Sequence, residues 1–336
     1  MAQVIERDSI DFRAYIRETE ARQKVRPASE YVDDIIESLF SGQKEPGAFL
    51  PWDKTHDKFK FRPGEVTLWA GINGHGKSLV TGQVGLSLMG QGERVCIASF
   101  EMKPVSTLKR MARQWSGLRP VSPNDTPEMA DIARDSYRQF GYWTDRKLWL
   151  YDQQGTVDAE TILGVARYCA KELRIGHVFI DSLMKCVKGE DDYNGQKEFL
   201  DELCALARDC SVHIHLVHHI KKLASEEQTP GKFDAKGSGS ISDQVDNFIV
   251  VWRNKRKERD QQEGKPVTAD EPDALLICDK QRNGEWEGKV ALWFDQESQQ
   301  FTGAASDRSV SFDEFPHRPW ATVSTSRPRA HFGGEA

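Results

Sequence analysis

From Glu65 onward the chain alternates short apolar runs with longer segments patterned for helix. The short runs are "EVTLWA" (65–70), "RVCIASF" (94–100), "KLWLYD" (147–152), "HVFID" (177–181), "VHIHLV" (212–217), "NFIVVW" (247–252), "ALLICD" (274–279) and "KVALWF" (289–294). Runs of this length, rich in branched and aromatic residues, predict strands. Through about Val217 strands and helical segments take turns, which predicts right-handed crossovers and a mainly parallel sheet covered on both faces. The last three runs lie closer together, with "RNG" before the final one, and predict an antiparallel extension. The fold class is α/β.

Residues 1–60 read differently. They are polar and helix-prone and end in the Pro/Gly-bearing stretch "GQKEPGAFLPWDKTHDKFKFRPGE", which predicts a boundary. Within them Tyr31, Ile35 and Leu39 recur every four residues beside Val32, Ile36 and Phe40, one wide apolar stripe on a helix that Ser29, Glu30 and Asp33 would start. That stripe packs either on its own domain or on a neighbouring subunit. Residues 303–336 carry Ser, Arg, Pro and Gly without a period and read as a mobile tail. The expected organisation is a helical linker at 1–60, a large domain at 61–302 and a tail at 303–336.

Composition narrows the class. A 336-residue chain with 38% hydrophobic and 29% charged residues is an ordinary globular protein with room for one large α/β domain and appendages. It has no run of about 18 apolar residues, and its charged start lacks the apolar core of a signal peptide, so a cytoplasmic, membrane-free protein is expected. The net charge of −6 argues against a generally basic nucleic-acid binder, although a cleft or ring needs positive charge only where the strand passes. Six scattered cysteines without a C-x-x-C pair predict buried free thiols.

The chemistry begins at "GINGHGKS", directly behind the first strand. Gly71, Gly76, Lys77 and Ser78 fit G-x-x-x-x-G-K-[ST], a turn whose backbone N–H groups wrap a phosphate chain. Asn73, Gly74, His75 and Leu79 complete the expected nucleotide contacts. Lys77 is expected on the β- and γ-phosphates of ATP or another nucleoside triphosphate, and Ser78 on Mg²⁺. Asp181 ends the strand "HVFID", where a carboxylate can support the metal, and Glu101 closes "RVCIASF", where one can polarise water. Each carboxylate alone is more often a solvated strand end; the phosphate loop in front of them favours function. The histidines 213, 215, 218 and 219 suggest zinc only superficially, since no cysteine or paired carboxylate completes a ligand set.

"ASFEM", "FIDSL", "HLVHHIKK", "GSGSISDQVDN" and "DKQRNG" follow the phosphate loop in an order that resembles the RecA-like motor domain of DnaB-type hexameric replicative helicases. The style is closest to the helicase half of phage primase-helicases and of mitochondrial Twinkle, over about residues 60–302. The resemblance implies that Glu101 is the catalytic glutamate and that His219, or its neighbour His218, senses the γ-phosphate. It implies that "GKFDAKGSGSISDQ" (231–244), with Lys232, Lys236, Gly237, Ser238, Gly239 and Ser240, tracks single-stranded DNA, which suits a Gly/Ser-rich loop carrying two cations. Arg282 and Lys280 match a finger pair inserted into the next subunit's site, and Arg253 with Phe294 match the residues flanking the base. Phe294 departs from the tyrosine often found there.

The fused primase half of phage relatives and the large amino-terminal helical domain of bacterial members have no counterpart in this sequence. A separate primase or loader is therefore an expected partner, beside single-stranded DNA and a homo-oligomer, expected as a hexamer. The expected function is ATP-dependent 5′–3′ translocation and unwinding in phage-type replication. A RecA-like strand-exchange ATPase and an ATP-bound loading scaffold are the rival readings.

Overall fold

The computed structural model describes residues 3–6, 29, 32, 36, 40, 46–117, 119, 125–189, 191–220, 229–231 and 240–312. Their strands form one mixed sheet: β1 (Gln3–Glu6), β2 (Val66–Gly71), β3 (Val95–Ser99), β4 (Leu148–Asp152), β5 (His177–Asp181), β6 (His213–His219), β7 (Asn247–Arg253), β8 (Ala274–Gln281), β9 (Gly288–Asp295) and β10 (Gln300–Thr302). The order across it is β1-β4-β3-β5-β6-β2-β7-β8-β9-β10. Every pairing from β1 to β7 is parallel, and those from β7 to β10 are antiparallel.

Helices cover both faces, as a parallel sheet requires. Alternate residues of each strand feed opposite layers: Leu68 and Ala70 join one core, and Trp69 between them joins the other. On the first face lie α4 (Ala159–Lys171) and α5 (Tyr193–Cys210), which bury Ile162, Val165, Phe199 and Leu203. On the second lie α1 (Lys77–Gly90), α2 (Pro104–Ser116) and α3 (Pro127–Trp143). The starts of α3 and α4 are capped by Thr126 and Asp158, which accept from Met129 N and Thr161 N. Two short helices, α6 (Ser240–Gln244) and α7 (Lys255–Gln262), flank β7.

All eight predicted strands are present, and the last three pair antiparallel with one another as expected, β7 also joining the parallel part beside β2. The structure departs from the sequence reading elsewhere. β1 lies in the segment read as helical, at the sheet edge beside β4. Its four residues are too few to display a period. The apolar residues of the expected boundary are core: Ala48, Leu50, Trp52, Phe59 and Phe61 are buried, and Ala48 pairs with Phe61. The chain also stays packed beyond Thr302, where Gln300 exchanges side-chain hydrogen bonds with the backbone of Val310 and Phe312 is buried.

Of the amino-terminal stripe, Val32, Ile36 and Phe40 are helical and exposed, Phe40 by 78%. Tyr31, Ile35 and Leu39 lie outside the described residues.

Three histidines sit beneath the second face, packed by Phe61, Trp69 and Phe179. His213 bridges the Arg62 carbonyl (2.7 Å) and the Thr67 hydroxyl (2.8 Å). The indole of Trp69 donates to His215 Nδ1 (3.2 Å), which places the His215 proton on Nε2, aimed at His177 Nδ1 (3.1 Å). Burial is the largest cause holding all three imidazoles neutral. His213 is lowered to about 4, and His177 and His215 fall well below the usual range, with repulsion from neighbouring histidines adding to the effect.

An imidazole depressed by folding binds fewer protons folded than unfolded between its folded value and about 6.5, so it withdraws stability as pH falls through that window. His213 alone should contribute a slope of about 1.4 kcal/mol per pH unit between about 6.5 and 4. His213→Asn keeps a donor for the Arg62 carbonyl but cannot titrate. Denaturation at several pH values is expected to show the stability gap between wild type and this variant closing as pH falls; a constant gap would mean that His213 is not held neutral.

Candidate nucleotide site

The loop between β2 and α1 is shaped by glycine. Gly74 and Gly76 adopt φ of +81° and +85°, a region costly for other residues, and Gly76 opens α1. Gly71 is needed for a different reason: a Cβ there would stand 2.6 Å from the Val251 carbonyl oxygen. His75 N donates to Ile72 O (3.2 Å), closing the turn. The amides that open a helix precede its own hydrogen-bond ladder, although Leu79 N here reaches Gly76 O (3.0 Å), and the helix dipole adds positive potential, so the loop suits a polyphosphate. Lys77 Nζ donates to the loop carbonyls of Gly71 (2.8 Å) and Ile72 (3.2 Å), so a buried cation already lies at the loop's centre.

In front of the loop is an open cleft of about 430 Å³, lined among others by Asn73, Lys77, Ser78, Glu101, Asp181, His219 and Arg253. Ser78 Oγ donates to Asp181 Oδ2 at 2.9 Å. Burial raises the Asp181 carboxyl above its ordinary range, and the bond from Ser78 opposes that shift; Glu101 pushes it up further while Lys77 and Arg110 draw it down. Glu101 Oε1 accepts from Ser182 Oγ (3.3 Å) and stands 3.5 Å from His219 Nε2. A hydroxyl, a half-buried carboxylate and a second, more exposed carboxylate thus meet beside a phosphate-binding loop. A hard cation takes such oxygen donors, so the residues fit Mg²⁺ together with a nucleoside triphosphate.

The model of the DnaB-like helicase C-terminal domain matches residues 54–303. The chain belongs to this family. Two solved structures share the fold: one described as an ATPase domain, and one as a DnaB-like replicative helicase and its interactions with primase. The first has a TM-score of 0.68 at 18% identity and covers 83% of this chain and 99% of its own. For the second the values are 0.67 and 17%, with 83% and 67% covered. The protein therefore carries a RecA-like ATPase domain of the DnaB-like replicative helicases, a family that uses nucleoside triphosphate with Mg²⁺. No helix among the described residues is long and apolar enough to cross a membrane.

This DnaB-like domain brings together Asn73, Gly74, Gly76, Lys77, Ser78, Leu79, Glu101, Asp181, His219 and Arg253 in one cleft. His218 is buried and does not line it, which separates the two neighbouring histidines. Gly71 and His75 do not line the cleft. Phe294 backs Arg253, with the guanidinium carbon 5.2 Å from its ring centroid. A base between two planes needs about 7 Å, twice the van der Waals spacing, so it can lie between the two only if they part.

Lys280 and Arg282 lie elsewhere. Lys280 Nζ donates to the carbonyls of Ser242 (2.9 Å) and Asp243 (2.8 Å). Arg282 donates to Asp246 Oδ1 (2.9 Å) and to the carbonyls of Asp243 and Gln244. Gln281 pairs with Asn247 at the start of β7, whereas Arg253 in the cleft ends it. Six residues of strand, about 20 Å at 3.3 Å each, separate the two. Lys232, Lys236, Gly237, Ser238 and Gly239 lie outside the described residues, and Ser240 begins α6.

Sequence reasoning misses three residues at the cleft. Ser182 lies inside the motif "FIDSL" without an expected role. Arg110 is carried into the cleft by α2, two turns beyond its start at Pro104, and only the helix position could have marked it. Gln299 reaches the cleft from the β9–β10 turn at φ +60°, for which the sequence holds no signal.

Gly71→Ala is expected to destabilise the domain by about 1–3 kcal/mol through overpacking, measurable by chemical denaturation. Arg110→Ala removes a charge that draws the Asp181 carboxyl down. If metal binding needs the ionised carboxylate, the acid limb of the hydrolysis profile is expected to move to higher pH; an unmoved limb with reduced turnover would separate Arg110 from Asp181.

Proposed function

We propose that the protein is an ATP-driven motor that moves along single-stranded DNA as a closed homo-oligomeric ring, with six subunits and 5′–3′ polarity, and unwinds duplex in phage-type replication. The observation that carries the ring is the position of Lys280 and Arg282, at the opposite end of β7 from their own cleft. Arg110 and Arg253 line the cleft within one chain, and a second copy presenting Lys280 and Arg282 adds two further cations to neutralise charge on the transferred phosphoryl. The exposed stripe of Val32, Ile36 and Phe40 supports the same reading, because an apolar helical face needs a partner and a neighbouring subunit provides one.

Within one cleft the roles follow from position. Lys77 exchanges its loop carbonyls for phosphate oxygens. Ser78 and Asp181 would hold the metal, which would supply positive charge to the polyphosphate. Glu101 accepts a proton from the attacking water, and His219, beside the same carboxylate oxygen, registers the phosphate's presence and passes it into the chain that follows β6. That chain leads to the loop bearing Lys232, Lys236 and residues 237–240, the proposed track for the DNA backbone. A separate primase or loader completes the system.

Steady-state ATP hydrolysis with and without single-stranded DNA tests this. Stimulation by DNA, lost with Glu101→Gln, which should lower turnover by about 10²–10⁴-fold, is the expected result. A low rate indifferent to DNA and to Glu101 would contradict the motor and favour a scaffold.

A further inference from the structure

The phosphate-loop pattern accepts any residue at position 75, yet this chain places a histidine there and buries it to 1% exposure. Its Nδ1 accepts the backbone N–H of Arg253 at 3.1 Å. The pairs between β2 and β7 run from Thr67 and Asn247 to Ala70 and Val250 and then stop, because β2 turns away into the phosphate loop. The amide at the end of β7 thus loses its strand partner on that side, and the imidazole takes its place. To accept at Nδ1 the ring carries its proton on Nε2.

The contact joins two walls of the cleft. Arg253 lines it, with its guanidinium fixed by Glu258 (3.1 Å) and by the face of Phe294. Phe294 lies against Phe301 (5.0 Å), and Phe301 reaches to 3.4 Å from where a Cβ of Gly76 would stand. Consecutive loop residues 75 and 76 are therefore tied, by a hydrogen bond and by aromatic packing, to the wall around Arg253.

We propose that His75 is a positioning residue: it fixes the span between the phosphate loop and the Arg253 wall, and so matches the cleft to a ligand that carries a nucleoside as well as a polyphosphate. The inference rests on the nucleotide reading above. Its consequence is a split by ligand. Loss of the Nδ1 acceptor frees the Arg253 wall, which weakens a nucleoside triphosphate but leaves binding of a bare polyphosphate to the loop intact.

The test uses the full chain with Mg²⁺ and measures Kd for ATP and for inorganic tripolyphosphate by calorimetry. His75→Phe is expected to weaken ATP about tenfold or more and to change tripolyphosphate less than about twofold. His75→Asn, whose Oδ1 overlies Nδ1, is expected to restore ATP binding to within about threefold of wild type. Equal weakening of both ligands by His75→Phe would reduce His75 to a prop for the loop and overturn the proposal, as would no change in either. If His75→Phe does not fold, His75→Gln, polar but with its acceptor displaced towards the Nε2 position, faces the same criteria. Wild type failing to bind ATP would instead overturn the nucleotide reading itself.

Discussion

The parallel register of β2, β5 and β6 is the constraint on which the rest of this molecule depends. Gly71 stands beside His219, and Asp181 beside Val217, so the ends of three strands bring the phosphate loop, Asp181 and His219 to one end of the sheet. Gly71, Asp181 and His219 are far apart in sequence. Parallel pairing also fixes what that end lacks: the antiparallel return of β8 carries Lys280 and Arg282 to the far end of β7. One arrangement of strands gathers the phosphate loop and two carboxylates at one end of the sheet and carries Lys280 and Arg282 to the other.

Those cations are held. Their donors gather on the carbonyls of Ser242, Asp243 and Gln244 at the carboxyl end of α6, where the helix leaves acceptors unsatisfied and the potential favours positive charge. Arg282 also meets Asp246, a buried carboxylate whose other oxygen accepts the Val66 amide at the start of β2. In the proposed ring, a finger engaged with the neighbour's nucleotide exchanges some of these bonds for phosphate contacts. The helix that ends the proposed DNA loop is thereby among the first structures to feel the change.

Much of this is legible in the sequence, and the rest is hidden for identifiable reasons. Long, branched apolar runs announce β2 to β9, and the loop motif with Asp181 and Glu101 announces the cleft, because strand length and phosphate binding impose local patterns. β1 and β10, of four and three residues, carry no readable period. Trp52, Phe59 and Phe61 are lost in a Pro/Gly-rich stretch: Phe59 packs on Phe61, Phe61 on Trp69 and the histidine layer, and Trp52 donates to the Phe301 carbonyl, contacts that no local pattern encodes. Position 75 reads as a generic loop contact, and the imidazole's partner at Arg253 becomes visible only with the strands in place.

The central claim is that one chain holds an incomplete site and a second copy completes it. Mixing Glu101→Gln subunits with Arg282→Ala subunits, each inactive alone, tests it most directly through DNA-stimulated ATP hydrolysis. The account predicts that mixed assemblies regain activity, since some interfaces then pair an intact Glu101 with an intact Arg282 from the adjoining copy. A mixture as inactive as either component, in assemblies shown to contain both, would contradict the claim.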